Sequence, residues 1–189
     1  KKFKNKNLSQ IGSNGQFKTQ HQLDHTRAAL AMCENIDWNV GRILEELEKN
    51  GLSKKTIVIY LSDNGPNGKR WNAEMKGIKG TTDEGGVRSP FIINWKGKIP
   101  QGKIIEKITG VIDLFPTLKD ITGIRVKPKK PFDGISLKPL IFIDNPDWEN
   151  RLIYSYWKGR FSVRSQDYRL DKDNILFDMV NDPNQTINI

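Results

Sequence analysis

The stretch TIVIYLSDNGPNGKRWNAEMKGIKGTTDEGGVRSP, residues 56–90, decides the expected fold of this 189-residue chain. It starts with a nearly unbroken apolar run over residues 56–62 that is rich in β-branched side chains. Such a run is typical of a central strand covered on both faces of a sheet. Asp63 and Asn64 follow at its carboxyl end. Because ligands bind at the carboxyl ends of strands in open α/β sheets, the pattern predicts a binding site here.

Asp63 and Asn64 together offer a carboxylate oxygen and an amide carbonyl oxygen. These are hard ligands, suited to Ca²⁺ or Mg²⁺. The competing interpretation is a tight turn that includes Gly65, because Asn-Gly is a strong hairpin signal. The following residues 66–70, PNGKR, lack the alternation of a hairpin's return strand. The sequence therefore favours a long loop after the pair.

Lys79 lies in the glycine-rich segment GIKGTTDEGGVR, residues 77–88. Glycines let the backbone approach a ligand closely, and an ammonium group can neutralise an anion. The segment is not a nucleotide P-loop, because that motif requires Gly-Lys-Ser/Thr and the order here is Lys-Gly-Thr. Taken alone, the segment also fits a solvated surface loop. Its position after the metal-type pair favours an anion-binding role for Lys79.

The net charge of +9 raises the question of a nucleic-acid partner. The excess lysines and arginines lie in a polar leader and in a proline-flanked loop around residues 125–130, and neither is a helix face or an RNA-binding strand. We therefore expect no nucleic-acid partner, and a solvated surface. A milder functional interpretation is that the excess positive charge attracts polyanionic substrates. No apolar run approaches the ~20 residues of a membrane-spanning helix, so no membrane span is expected.

Residues 1–20 are expected to be irregular, and a helix is predicted over residues 24–50. Asp24 is its predicted N-cap, and Gly51 is its predicted stop. His21 and His25 lack metal-type spacing, so we expect them on the surface.

The apolar residues of this predicted helix recur at helical spacing, which predicts a buried stripe. The only cysteine lies beside this stripe, so we expect Cys33 to be buried and inert. The stripe consists of Ala29, Met32, Ile36, Val40, Ile43, Leu44 and Leu47.

The second half of the chain changes from mixed elements to short strands. Residues 91–95 predict another buried strand. Asp113 is predicted to begin a helix that runs to Ile121, with Pro116 in its first turn, where the missing N–H costs little. The prolines before residue 135 predict an ordered loop. A small antiparallel sheet is predicted from β-like runs at residues 152–157, 161–165 and 175–179.

Two strings, SDNGPNG at residues 62–68 and MKGIKGTTDEGGVRSPFIINWKGKI at residues 75–99, resemble the type I sulfatases of the alkaline phosphatase superfamily. The resemblance extends from about residue 20 to the end of the chain. It implies an α/β fold, a partial alkaline phosphatase-like sandwich with a small antiparallel β-sheet subdomain at the carboxyl end. It also implies two units, a catalytic-domain part at residues 1–145 and the subdomain at residues 146–189.

The resemblance implies roles for individual residues. Asp63 and Asn64 would supply two of the divalent-cation ligands, usually to Ca²⁺, and Lys79 would contact the sulfate and its bridging oxygen. The family's nucleophile is a formylglycine made from Cys or Ser in a C/S-x-P-x-R motif, which does not match Cys33, because Glu34 and Asn35 follow it.

The chain is therefore expected to be the carboxyl-terminal portion of a sulfatase, a sulfuric ester hydrolase. We expect it to be inactive in isolation and to need the remainder of the sulfatase domain as a partner. The substrate class implied is a sulfated glycan or small molecule, and the localisation implied is periplasmic or secreted. Two alternatives remain: a phosphatase or phosphonate hydrolase of the same superfamily, and a catalytically inactive polyanion-binding fragment.

Arg70 and Trp71 interrupt the loop between the two motifs. One interpretation makes Trp71 a packing residue and Arg70 a surface charge. The other places Arg70 at the mouth of the site, where its guanidinium binds a substrate carboxylate or second sulfate and Trp71 offers a face to a sugar ring.

Overall fold

The structure is a computed structural model that describes residues 2–8, 19–68, 70–144 and 146–189. The predicted irregular leader lies partly outside these residues. The fold mixes helices with two small antiparallel sheets, which confirms the predicted α/β class with an antiparallel carboxyl-terminal sheet. The elements are α1 (Gln20–Lys49), β1 (Val58–Leu61), α2 (Glu84–Val87), β2 (Phe91–Asn94), α3 (Leu114–Thr122), α4 (Lys138–Phe142), β3 (Ile153–Trp157), β4 (Arg160–Arg164), β5 (Tyr168–Leu170) and β6 (Leu176–Asp178).

Helix α1 begins four residues earlier than predicted. Its N-cap is Thr19, whose Oγ1 accepts a hydrogen bond from the Gln22 amide at 3.2 Å. The prediction of Asp24 as the cap is wrong, because threonine also caps well and lies one turn upstream. The carboxylate of Asp24 instead accepts a hydrogen bond from Arg27 within the helix. The predicted stop is confirmed, since Gly51 has a φ of 65°.

The apolar stripe of α1 is largely exposed, contrary to the prediction. Met32 and Ile43 are 60% and 58% exposed, and Cys33 is exposed as well. The reason is that α1 packs chiefly against the 3₁₀ helix at Ser53–Lys55. Periodicity identifies an apolar face but not the surface that covers it. The described helices include none that combines the length and apolarity needed to cross a membrane.

Strands β1 and β2 pair antiparallel, with Val58 opposite Asn94 and Leu61 opposite Phe91. The two strands confirm the predicted positions. The prediction of burial on both faces is wrong, because both strands keep exposed side chains in this two-stranded sheet. An apolar run records side-chain composition and not the number of neighbouring strands. The long connection between them confirms that Asp63 and Asn64 do not form a tight hairpin.

Helix α3 begins directly after Asp113 and ends at Thr122, as predicted to within one residue. The Asp113 carboxylate is fully buried and accepts hydrogen bonds from the Ile135 amide at 2.9 Å and from the Arg151 guanidinium at 2.8 Å. The first bond holds the residue that follows the proline-containing loop, and the order of the loop itself stays a prediction. The hydrophobic core lies next to this region and consists of Leu137, Leu140 and Ile141 with partly buried Ile93, Ile99, Ile105 and Trp148 around them.

The carboxyl-terminal sheet has the antiparallel order β3-β4-β5-β6. Three of its strands confirm the predicted runs. Strand β5 was not predicted because it spans only three residues and places Arg169 between Tyr168 and Leu170. The proposed division between residues 145 and 146 stays a prediction. Hydrogen bonds cross it, from the Ser162 side chain to the Thr82 carbonyl and from Arg169 to the Glu84 carboxylate.

Candidate functional site

Two segments pack directly against each other through their backbones. One is the loop after β1, and the other is the Lys79 loop together with α2, into which it leads. The amide of Gly65 donates to the Gly86 carbonyl at 2.9 Å, and the amide of Lys79 donates to the Pro66 carbonyl at 3.0 Å. A Cβ added at Gly65 would lie 1.8 Å from the Gly85 oxygen, so only glycine permits this approach. The structure therefore brings the loop that carries Asp63 and Asn64 against the loop that carries Lys79.

Asp63 is exposed and Asn64 is half-buried. The Asn64 Nδ2 donates to the Gly65 carbonyl at 2.9 Å. The Oδ1 atom, which is the oxygen that would bind a cation, takes no part in this bond. Two hard oxygen donors fit Ca²⁺ or Mg²⁺ in kind, but Ca²⁺ takes about six to eight oxygens. The described residues contain no cluster of three or more His, Cys, Asp or Glu side chains that could hold a metal. The metal role of the pair stays a prediction.

Lys79 lies at an exposed turn between two glycines in the left-handed region. Gly77 has a φ of 94° and Gly80 a φ of 84°. The turn closes where the Thr81 amide and hydroxyl both donate to the Ile78 carbonyl, at 3.0 and 2.9 Å. This conformation presents the Lys79 side chain to solvent, as an anion-binding ammonium group requires.

Side chains on one face of strand β4 contact the Lys79 loop and hold it in place. Arg160 donates to the Gly80 carbonyl at 2.7 Å, and Ser162 donates to the Thr82 carbonyl at 2.7 Å. Two residues further on, the Arg164 guanidinium lies 3.4 Å from the Glu84 carboxylate. Residues 160, 162 and 164 of the strand thus contact residues 80, 82 and 84, respectively. The contacts alternate because side chains on one face of a strand recur with period two.

Glu84 is the most heavily bonded residue of this contact, and sequence reasoning missed it. It is 6% exposed, and its Oε2 accepts from Arg169 at 2.6 Å. Arg169 is 3% exposed and also donates to the Thr82 carbonyl at 2.8 Å. The Glu84 amide donates to Gln185 Oε1 at 3.0 Å. One available signal was the alternation of Ser162 and Arg164 in the strand predicted over residues 161–165, with Arg160 directly before it.

Lys76 forms a second contact between the Lys79 loop and the carboxyl-terminal sheet. Its Nζ lies 2.9 Å from the Asp171 carboxylate and 3.6 Å from that of Asp83, and it sits over the Phe177 ring at 4.6 Å. Burial lowers the pKa of Lys76, but the hydrogen bond to Asp171 and the two carboxylate charges outweigh it and raise the pKa overall. Burial raises the pKa of Asp171, but its bonds to Lys76 and to two backbone amides leave that pKa lowered.

Arg70 is engaged by neighbours on the protein. Its NH2 donates to the Asn67 carbonyl at 2.7 Å and lies 3.3 Å from Nδ1 of His25. His21 and His25 are exposed, as predicted. Trp71 is 55% exposed. The substrate role of Arg70 stays a prediction.

Two family models match the sequence. The model described as Sulfatase matches residues 4–124, and the model described as N-sulphoglucosamine sulphohydrolase, C-terminal, matches residues 79–189.

Curated relatives include the steryl-sulfatase of Mus musculus, 33% identical over 133 residues, which cover 65% of this chain and 21% of that protein. Arylsulfatase D of Homo sapiens is 36% identical over 118 residues, covering 57% of this chain and 20% of that protein. The chain therefore spans between a fifth and a quarter of the length of these relatives.

Solved structures with the same fold include the crystal structure of Ps i-CgsB, with a TM-score of 0.71 and 30% identity, covering 82% of this chain and 36% of that one. That protein has also been solved in complex with k-i-k-neocarrahexaose. A second is BT4656 in complex with its substrate D-glucosamine-2-N,6-O-disulfate, with a TM-score of 0.67 and 28% identity, covering 85% of this chain and 35% of that one.

Proposed function

Because this chain belongs to the sulfatase family, we propose that it forms part of an enzyme that hydrolyses a sulfate ester. Its fold is that of the alkaline phosphatase-like sulfatases whose structures it matches. We call the longer polypeptide that would contain this chain the complete enzyme. Its nucleophile would be a formylglycine supplied by another part of that polypeptide, and its location would be periplasmic or secreted.

The observation that carries this proposal is the backbone contact between the two loops. The bond from Gly65 to Gly86 and the bond from Lys79 to Pro66 place the Asp63 and Asn64 segment beside the Lys79 turn. In this proposal the cation ligands Asp63 and Asn64 and the anion-binding ammonium of Lys79 come from adjoining loops.

In this proposal Asp63 and Asn64 hold a Ca²⁺ or Mg²⁺ ion, which when bound would polarise the sulfate as a Lewis acid. Lys79 offsets the negative charge that develops on the bridging oxygen as its bond to sulfur breaks. Arg160 and Ser162 bond to the Gly80 and Thr82 carbonyls, so the backbone from which the Lys79 side chain extends is held in place.

We further propose that the substrate is a sulfated glycan. Two structural relatives were solved with carbohydrate ligands, and the net charge of +9 favours approach of polyanions. Arg70 would bind an outer carboxylate or sulfate of such a substrate. If so, Arg70→Ala should lower kcat/KM about tenfold on a disulfated sugar and leave a small aryl sulfate unaffected. Equal losses on both would rule out this role.

The experiment that tests the function is Lys79→Ala in the complete enzyme, assayed with 4-nitrophenyl sulfate. We expect kcat to fall by about a hundredfold or more, since Lys79 stabilises charge that appears only in the transition state. Lys98→Ala removes an exposed lysine of the turn after β2 and should have no effect.

Unchanged turnover in Lys79→Ala would contradict the proposed role. Faster hydrolysis of 4-nitrophenyl phosphate than of the sulfate by the unmodified enzyme would favour the phosphatase alternative. Polyanion binding with no hydrolysis of either ester would favour the inactive fragment.

A further inference from the structure

The hairpin that joins β3 and β4 lies against the residue next to Lys79. Its tip is Lys158 and Gly159, with φ values of 47° and 80°, and its last pair is Trp157 opposite Arg160. The Arg160 guanidinium donates to the Gly80 carbonyl at 2.7 Å. This bond fixes the hairpin beside the Lys79 turn.

Trp157 shares the face of Arg160, because directly opposed residues of an antiparallel pair point to the same side of the sheet. A Cβ added at Gly80 would lie 3.7 Å from Nε1 of Trp157. The indole therefore stands in van der Waals reach of the residue that follows Lys79 in the chain. Despite this contact, Trp157 is 51% exposed.

The surroundings of this ring are positively charged. The Lys158 Nζ lies 5.7 Å from the centre of the Trp157 ring. Neither Lys158 nor Arg160 nor Lys79 forms an ion pair with any residue in the part of the chain that the structure describes. An exposed indole beside Lys158 and Arg160, with Lys79 in the adjoining turn, suits a ring-bearing anion, since the aromatic face takes the ring and the cations take the charge.

We propose that Trp157 is a specificity-determining residue that packs on the ring of the alcohol whose sulfate Lys79 contacts. This inference rests on the proposed function of Lys79. Arg160 acts as a positioning residue, because its bond to the Gly80 carbonyl holds the hairpin against the loop. The ligand class is a sulfate ester of a ringed alcohol, either a sugar or an aromatic alcohol.

The test uses the complete enzyme with two probes, 4-nitrophenyl sulfate, which carries a ring, and inorganic sulfate, which does not. In Trp157→Ala we expect the KM for 4-nitrophenyl sulfate to rise roughly five- to tenfold. The inhibition constant of inorganic sulfate should not change, because Lys79 and its turn are intact. Trp157→Phe should recover most of the lost affinity.

The matched control is Tyr156→Ala. Tyr156 is the preceding residue of β3, is 72% exposed and points to the opposite face of the sheet. Tyr156→Ala should leave the KM for 4-nitrophenyl sulfate and the inhibition constant of inorganic sulfate unchanged. Trp71→Ala tests whether the exposed tryptophan in the loop between the two motifs contributes to the KM instead.

Two results would overturn the inference while leaving the proposed function standing. The first is an unchanged KM in Trp157→Ala, whether or not the KM rises in Trp71→Ala. The second is a parallel rise in the KM and in the inhibition constant, which indicates a displaced loop. An unmodified complete enzyme that hydrolyses no sulfate ester would instead overturn the proposed function, and with it the premise of this inference.

Discussion

Gly65 makes the closest backbone approach between the two loops of the candidate site. Any side chain there would collide with the Gly85 carbonyl, at 1.8 Å from the Cβ position. We expect Gly65→Ala to lower the free energy of unfolding by about 2 kcal/mol, in the range of overpacked sites. Urea denaturation measures this change.

The control for this substitution is Gly41→Ala in helix α1, where an added Cβ meets nothing within 4 Å. Alanine is the better helix former, so this variant should gain up to ~1 kcal/mol. Little or no loss of stability in Gly65→Ala would show that the contact between the loops is not rigid.

Asp63 tests the proposed cation site. In the complete enzyme we expect Asp63→Ala to abolish Ca²⁺-dependent hydrolysis and to reduce bound metal, while the circular dichroism spectrum is unchanged because Asp63 is exposed. Metal content is measured by mass spectrometry alongside the assay, with Asp37→Ala on the exposed side of α1 as the control. The assignment fails if activity and metal content both survive.

Asp63, Asn64 and Lys79 could be selected from the sequence because each lies in a short local pattern of strand end or glycine-rich loop. Glu84 and Arg169 could not be paired in the same way. They are 85 positions apart, and their contact depends on how β5 aligns with β4. Local patterns carry no information about that alignment.

The contact between the Lys79 loop and the carboxyl-terminal sheet depends on buried charge. We expect Arg169→Met to destabilise the protein by about 2 kcal/mol or more, because it removes the 2.6 Å partner of the buried Glu84 carboxylate. Thermal and urea unfolding of the chain report this loss.

Arg88→Met is the matched control, because Arg88 lies 3.5 Å from the other oxygen of Glu84 but is 65% exposed. Exposed pairs contribute little, so the cost should stay below about 1 kcal/mol. Equal costs for the two arginines would contradict the importance of burial.

The link between Lys76 and Asp171 predicts how stability depends on pH. The pKa of Asp171 is lower in the folded protein than its ordinary value of 3.8. Its contribution is therefore complete above that value and is lost as the pH falls through the folded pKa. Between about pH 5 and about pH 3, the free energy of unfolding should fall less in Asp171→Asn than in the unmodified chain.

Asp173→Asn provides the comparison, since Asp173 is an exposed neighbour paired with Lys172. Its acid dependence should match that of the unmodified chain. If Asp171→Asn loses as much stability between about pH 5 and about pH 3 as the unmodified chain, the pairing of Lys76 with Asp171 does not govern the acid dependence of stability.

At the scale of the whole molecule, the accessible surface of 13685 Å² is larger than the roughly 9,200 Å² that the size scaling gives for a compact monomer of this mass. Part of the excess is apolar, since Met32 and Ile43 on α1 and Ile92 on β2 are each more than half exposed. This surface supports the proposal that the chain packs against the remainder of a sulfatase domain.

The same surface explains which predictions of the fold succeeded. The positions of α1, α3, β1 and β2 follow from patterns within each segment, and the structure confirms them. Burial of the α1 stripe and of β1 depends on neighbouring elements, which no pattern within the segment specifies. The sequence therefore predicted where these helices and strands lie but not which of their side chains are buried.

The hydrogen bond between Glu84 and Gln185 joins residues 101 positions apart. Ribosomes synthesise a chain from its amino end, and domains fold as their parts emerge. The Lys79 loop is therefore translated long before Gln185, and it lacks this bond until Gln185 has left the ribosome. A nascent chain stalled before Gln185 would already carry Asp63, Asn64 and Lys79 but would lack this fastening. The order of synthesis therefore separates the appearance of the candidate site residues from the bond that fastens their loop.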